Sequence, residues 1–410
     1  MVYYFEISKH YVNLRAVVTK HKIMKIQCLV RSLVAILSVA ISLELHAQSG
    51  TQTNGSQPNN IVTAVPFLLI TPDARSGGMG DAGVAVHPDA NAMSINPSKL
   101  VFLEKPYGFS VSYSPWLKSL VPDINLAFLS GYYKLGEESM LGSSMRFFSL
   151  GEIQYIDNNQ QDMGIYNPYE LAFDVTYARK FGESFSLGTS VRYIYSNLSS
   201  GQISGGSQTR PESALAVDVS AYYKHPTFFL GSDAIVSTGM QISNIGTKMS
   251  YSEGVVKMFL PTNLKIGAAS TFLIDDYSQV TFALDLNKLL VPTQPLYEDG
   301  KIIAGRNPDR SVPSGIFGSF SDAPGGFNEE LKEVNIASGI EYWYNQQFAF
   351  RTGYFFENPK KGDRRYLTVG AGLKYNVFNM DFAYIIANVQ KSPLANTLRF
   401  TLLFNFGDAK

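Results

Sequence analysis

Cysteine is nearly absent: 410 residues carry one, Cys28. It lies in a segment that reads as a leader, so the mature chain has no thiol. Disulfide staples, thiolate metal sites and cysteine nucleophiles are excluded. Histidine is scarce as well. Of the five present, His10, His21 and His46 fall within or before the leader. His87 and His225 remain, each directly before a proline, and both read as turn residues. A histidine-dependent hydrolase or a multi-histidine metal site has little to work with. No catalytic residue, metal or cofactor is therefore expected. Charge excess is missing too: 34 Lys and Arg meet 34 Asp and Glu. That balance argues against a nucleic-acid partner. Beyond the leader, no segment approaches about 18 uninterrupted apolar residues, so no membrane-spanning helix is expected.

The leader itself is clear. Residues 24–49 read MKIQCLVRSLVAILSVAISLELHAQS. Lys25 and Arg31 give a basic start, Leu33 to Leu43 an uncharged apolar core, and Ala47 the end of a cleavage site, with Leu45 two residues before it. This is the pattern of a secretory signal peptide. The competing reading, a buried core helix, leaves the flanks unexplained. Cys28 precedes the apolar core and so is not a lipoprotein acceptor. Residues 1–23 read as an upstream extension that is not native.

Residues 78–83, GMGDAG, spell a literal G-x-G-x-x-G. A true dinucleotide fingerprint sits on a tight strand-to-helix turn, with an acid about 20 residues on. Val65 to Ile70 offers an apolar run and Glu104 an acid at that distance. Six residues, Thr71 to Ser76, separate the run from the glycines, and Pro88 follows soon after. No short turn fits. Export also removes the ligand, because such dinucleotides are scarce outside the cytoplasm. The glycines are expected to serve close packing instead.

What the chain has in abundance is alternation. Tyr169, Leu171, Phe173, Val175 and Tyr177 alternate with Glu170, Ala172, Asp174, Thr176 and Ala178. Leu215, Val217 and Val219 oppose Ala216, Asp218 and Ser220. A soluble sandwich alternates in the same way, so length and loops must decide. About 14 candidate strands of roughly 9–11 residues, the span of a tilted strand in a bilayer, start near residues 107, 124, 140, 169, 185, 213, 235, 262, 279, 335, 347, 366, 379 and 396. The patterns near 124, 140 and 235 are weak. Connections after even strands are short, including one at His225–Pro226. Those after odd strands are mostly long: 115–123, 151–168, 196–212, 245–261, 289–334, 357–365 and 388–395.

Short inner turns alternating with long outer loops mark an outer-membrane barrel. The expected fold is all-β: a 14-stranded antiparallel transmembrane barrel with both termini periplasmic. The last strand, TLRFTLLFNFG, puts Leu398, Phe400, Leu402, Phe404 and Phe406 on one face. Lumen-facing charges are Asp174, Arg192, Asp218, Lys265, Asp285, Glu341, Arg351, Lys374, Asp381 and Arg399. They read as a paired network filling the barrel, or as the lining of a conduit. Residues 48–105 precede the first strand and read as a periplasmic or plug segment, leaving 106–410 for the barrel. The connection 289–334 is the longest. It carries Phe317, Phe320 and Phe327 among glycines and prolines, then an amphipathic stretch, Asn328 to Val334. Exposed aromatics on a mobile loop suit protein docking. The alternative is a loop folded over its own barrel.

At this point a family resemblance is plain. The run PDARSGGMGDAGVAVHPDANAMSINPSKL, followed by a barrel, resembles the FadL-like outer-membrane proteins. Their N-terminal segment forms a hatch with an Asn-Pro-Ala motif, which here reads Asn96-Pro97-Ser98. Gly78, Gly80, Gly83, Asn96 and Pro97 would belong to that hatch. PFLLITPDARSGGMGDAGVA, YSPWL at 113–117 and DLNKLLVPT at 285–293 are similar to the PorV (LptO) family of the Bacteroidetes type IX secretion system. The resemblance implies a non-enzymatic barrel that associates with the SprA/Sov translocon barrel. It would bind the C-terminal domains of secreted cargo and deliver them to a sortase-containing complex, which joins cargo to lipopolysaccharide at the surface. Phe317, Phe320 and Phe327 are the expected partner contacts. The FadL-like likeness implies an alternative, an importer of hydrophobic small molecules. A third reading, an outer-membrane hydrolase, lacks a nucleophile, base and orienter.

Overall fold

The computed structural model describes residues 59–116, 123–156, 162–198, 203–204, 207–208, 210–251, 256–387 and 397–407. The upstream extension, the signal peptide and residues 48–58 lie outside the described residues.

Fourteen strands run β1 Tyr107–Pro115, β2 Ile124–Gly136, β3 Ser139–Leu150, β4 Tyr169–Phe181, β5 Phe185–Asn197, β6 Glu212–Phe229 and β7 Ser232–Gly246, then β8 Asn263–Leu273, β9 Ser278–Leu289, β10 Val334–Tyr344, β11 Phe348–Phe356, β12 Arg365–Tyr375, β13 Phe378–Ala387 and β14 Leu398–Phe406. Each pairs antiparallel with its sequence neighbours. The register Tyr107↔Phe406 through Tyr113↔Phe400 joins β1 to β14 and closes the barrel. Closure is obligatory in lipid, where a free strand edge has no hydrogen-bond partner.

Polarity is inverted relative to a soluble fold. On β4, Phe173, Val175 and Tyr177 are exposed, while Asp174 and Thr176 are buried. On β6, Leu215, Val217 and Val219 are exposed, and Asp218 is fully buried. Alternation therefore sorts apolar side chains outward to lipid and small or polar ones inward. Each outward Val, Leu or Phe shielded by lipid contributes about 1.5–3 kcal/mol.

The expected strand starts hold to within a few residues, including the weakly patterned β2, β3 and β7. One turn is corrected. His225 and Pro226 are not a turn: β6 continues through them to Phe229, and Leu230–Gly231 turns the chain, both at positive φ. Pairing of β6 with β5 stops at Tyr223↔Phe185. Beyond it the hairpin has a free edge on that side, and proline is tolerated where no ladder donor is needed.

The segment before β1 also departs from expectation. It does not sit only at the periplasmic mouth. The backbone N–H of Asn59 donates to Lys360 O and its side chain to Gln294 O, both in long connections. Ala64, Phe67 and Leu68 then cluster with Leu126, Phe148 and Ile194 in the outer half. Met93, Leu100 and Phe102 cluster with Tyr132, Met140 and Tyr222 near the short turns. The segment thus traverses the lumen from the long-loop end and emerges at Pro106 to begin β1.

Orientation toward lipid gives the first test. Val191 points outward at the middle of β5. Val191→Arg should lower folding stability in phospholipid vesicles by about 2–4 kcal/mol, read by denaturant titration. A surface position on a soluble fold would change by only about 0.5 kcal/mol.

Candidate functional site

The site is the filled lumen and the outer cap above it. Asp73 opens a five-residue helix, Ala74–Gly78, by accepting from Ser76 N at 2.7 Å. The chain then turns through Gly80 and Asp81, both at positive φ. At Gly80 a side chain would come within 2.5 Å of Tyr354 N, so the wall demands glycine there. The wall reciprocates: a Cβ on Gly353 would sit 2.0 Å from the Met79 carbonyl carbon. Plug and wall approach backbone to backbone, which glycine alone permits.

Hydrogen bonds fix this contact. Gly80 N donates to Thr368 Oγ1 at 2.8 Å, and Gly83 N and Val84 N donate to Asp285 Oδ2 at 2.7 and 2.9 Å. The last amide of GMGDAG and the one after it hold a carboxylate of the barrel wall. Asp81 accepts from Arg399 at 2.6 Å and Tyr366 at 2.5 Å. Asn96 caps the 3-10 turn Pro97–Phe102, accepting from Ser98 N and Ser98 Oγ, and donates to Val84 O at 2.8 Å. The serine that departs from the hatch motif is thus bonded to the motif's own asparagine.

Charged wall residues form chains across adjacent strands. Glu341 faces Arg351 directly in register and accepts from its Nε at 2.7 Å; Arg351 reaches Asp381 at 2.7 Å. Arg75 of the plug grips the same Glu341 through Nε and a terminal nitrogen, both at 2.8 Å. Arg192 bridges Asp174 at 2.5 Å, Asp218 at 3.0 Å and the Asn244 side-chain oxygen. The paired network is what the lumen holds. Lys265 is half-buried beside an internal cavity of about 80 Å³, and Lys374 is exposed at the short-turn rim.

The long connection is built, not loose. Lys288 binds Glu330 at 2.8 Å and Glu333 at 2.7 Å. Lys361 binds Glu329 at 2.6 Å and Glu333 at 2.9 Å. Asp322 N and Ala323 N donate to Glu330, and Arg310 pairs with Asp322 at 2.8 Å. Gly315 lies against Phe259, and Phe259 O accepts from Ala64 N at 2.9 Å. The connection is therefore folded over its own barrel, the second of the two expected arrangements, and these ion pairs hold it there. Its aromatics are still displayed: Phe317 is 79% exposed, Phe327 74% and Phe320 49%.

Burial works to raise the carboxyl pKa of Glu330. The Lys288 ammonium and two backbone amides outweigh it and hold the group below its ordinary 4.5. Glu329 is likewise depressed, by Lys361 and Gly325 N against its burial. Asp322 is raised, chiefly by burial. Among the described residues, no three His, Cys, Asp or Glu side chains gather as a metal site.

With this geometry in place, the family can be given. The model for the type IX secretion system protein PorV matches residues 52–296. The chain belongs to the PorV family. A PorV-family barrel of this kind resides in the outer membrane, spanning it with strands. No protein of curated function matches the sequence. Among solved structures, a TodX deltaS2S3 mutant, a monoaromatic hydrocarbon channel, is 13% identical over 82% of this chain and 99% of its own, with a TM-score of 0.50. The toluene transporter TodX of P. putida is 11% identical over 82% and 98%, with a TM-score of 0.49. A Pseudomonas aeruginosa FadL homologue is 11% identical over 82% and 99%, with a TM-score of 0.42. These likenesses concern the fold.

Sequence reasoning singled out the glycines and Glu341, and missed Arg75, Asp81, Lys288, Lys361 and the cap glutamates Glu329, Glu330 and Glu333. One signal was present. A charge inside a segment destined for a lumen needs a partner; Arg75 precedes the glycines and Asp81 lies among them.

Two outcomes follow from these contacts. Arg75→Ala should destabilise the plug by about 3–5 kcal/mol, the usual loss when one member of a buried pair is removed. Faster amide exchange over 73–84, with the strand amides unchanged, is the reading. In the cap, a depressed folded pKa gives stabilisation that is complete above the unfolded value and lost as pH falls through the folded one. The depressed Glu329 and Glu330 give this dependence, and the raised Asp322 opposes it. Proteolysis of the 300–327 stretch should stay flat from pH 7 to about 5 and rise below 4.5.

Proposed function

We propose that this chain is a non-enzymatic docking barrel of the type IX secretion machinery. It binds the large translocon barrel and the C-terminal domains of exported cargo, and it passes cargo to the surface attachment complex. The observation that carries this is the outer cap, where Phe317 and Phe327 stand outward on a connection pinned by Lys288, Lys361 and Arg310. Aromatic anchors on a fixed scaffold lose little freedom when a partner covers them. Aromatics of this kind dominate the energetics of protein interfaces.

Import of hydrophobic small molecules is the second reading, and the shared fold favours it. The lumen argues the other way. Its cavity beside the plug is about 80 Å³ and is lined by Asn263, Lys265, Asn287, Asn335 and Arg364 among others. Such groups suit water, whereas small-molecule pockets are mostly apolar and about 300–1,000 Å³. The plug is expected to act as a seal during secretion.

The test uses two exposed side chains that the fold does not need. Phe317→Ser with Phe327→Ser should leave barrel abundance and heat-modifiable migration unchanged. Cargo at the cell surface should fall by more than about tenfold, in line with two anchors of about 2 kcal/mol each. Undiminished secretion would sink the proposal.

A further inference from the structure

The lipid-facing wall carries a small-residue gap at a glycine. A single outward row crosses the strands β1, β2, β3 and β4 as Phe109↔Gly131↔Ser143↔Val175. Large residues flank two small ones. Several inward glycines of the wall are explained by the plug, but the outward Gly131 is not. A Cβ there would meet only Gly108 O at 3.6 Å and Phe109 Cβ at 3.9 Å, which is ordinary contact. Its φ is not positive. Glycine inside a strand weakens it and marks a place where something else approaches closely. Among the described residues, nothing does.

The gap is the head of a groove of about 610 Å³ walled by Phe109, Tyr133, Leu141 and Val175. Its floor is almost wholly apolar, because the Ser143 hydroxyl is turned away onto Asp174 O at 3.0 Å. It runs toward the short-turn rim, where Tyr107 and Phe406 flank it. On the same outward face Ser143↔Val175 is followed by Leu141↔Tyr177 and then Ser139↔Arg179. Arg179 is therefore four residues, about 13 Å, below the head of the groove, at the level of the periplasmic headgroups. Its one ion pair is with Glu138 at 3.4 Å, and both side chains are more than half exposed. Such a pair is worth little and yields readily to a phosphate.

We infer that this groove is a binding site for one phospholipid of the periplasmic leaflet. An acyl chain lies over Gly131 and Ser143, and the phosphate is met by Arg179. The depth, the apolar floor and the cation at headgroup height select a lipid over a protein side chain. The groove's volume falls within the range of a small-molecule site.

The experiment is native mass spectrometry of the full barrel extracted in mild detergent from vesicles of dipalmitoyl phosphatidylethanolamine. The wild-type protein should retain one phospholipid. Gly131→Leu, whose Cβ meets only ordinary contacts, projects into the groove and should cut the retained fraction by about tenfold or more, with heat-modifiable migration unchanged. Arg179→Ala should cut it by about threefold. Ala268→Leu, outward on β8 and away from the groove, should leave it intact. A wild-type barrel that retains no lipid, or retention that ignores Gly131→Leu, overturns the inference. So does a variant, isolated from native membranes, that loses a bound protein while keeping the lipid. That outcome would give the groove to a partner barrel.

Discussion

A barrel of this circumference cannot fill itself. An eight-stranded barrel is just wide enough for its own side chains to meet, and one of 16–18 strands leaves a water channel. Fourteen strands fall between these. The wall must close because hydrocarbon offers no hydrogen bonds, and closure then creates an interior that must be occupied. The segment from Asn59 to Lys105 occupies it. Gly339, Gly353 and Gly370 leave the wall thin where Met79 and Gly78 press against it. Most charges on the inward faces become tolerable because they find a partner across a strand or on the plug. Glu341, gripped by Arg75 from within and Arg351 from the side, is where these demands meet.

That dependence explains the glycine-rich motif. A nucleotide fingerprint and this plug share one physical device, exposed backbone amides aimed at an anion. In the former the anion is a pyrophosphate. Here it is Asp285, held by the amides of Gly83 and Val84. The pattern reports that backbone must come close to something negative. Only the surrounding chain says what.

The barrel was legible because its signals are local. Period-2 alternation is imposed on each strand separately, and turn length needs no knowledge of partners, so strand count, order and face were open to reading. The hairpin at His225 was misread because a proline looks like a turn until β5 is known to stop short of it. The plug's direction of travel was hidden for a different reason. Asn59 meets Gln294 and Glu329 across more than 230 residues, and no local pattern encodes such a meeting. The outer connection stayed open between two readings for the same reason. Its glycines and prolines suggest mobility, while Lys288 and Lys361, which restrain it, lie on β9 and in the 357–364 connection.

The restraint on that connection bears on how a capped barrel can engage a protein. A mobile loop would lose side-chain and backbone freedom on docking, at about 1–2 kcal/mol per residue fixed, and over many residues this would consume most of what two aromatics gain. The buried carboxylates Glu330 and Glu333 move that loss into folding. Phe317 and Phe327 then stand ready in a fixed geometry, and their burial against a partner is nearly all gain. The same ion pairs tie the cap to Asn59 and so to the upper end of the plug. A partner pulling on the cap therefore pulls on a structure continuous with the lumen filling. Under the proposed docking role, secretion through a neighbouring channel would make no demand that this lumen open, and a plug held by Arg75, Asp81 and the wall's glycines is suited to staying shut.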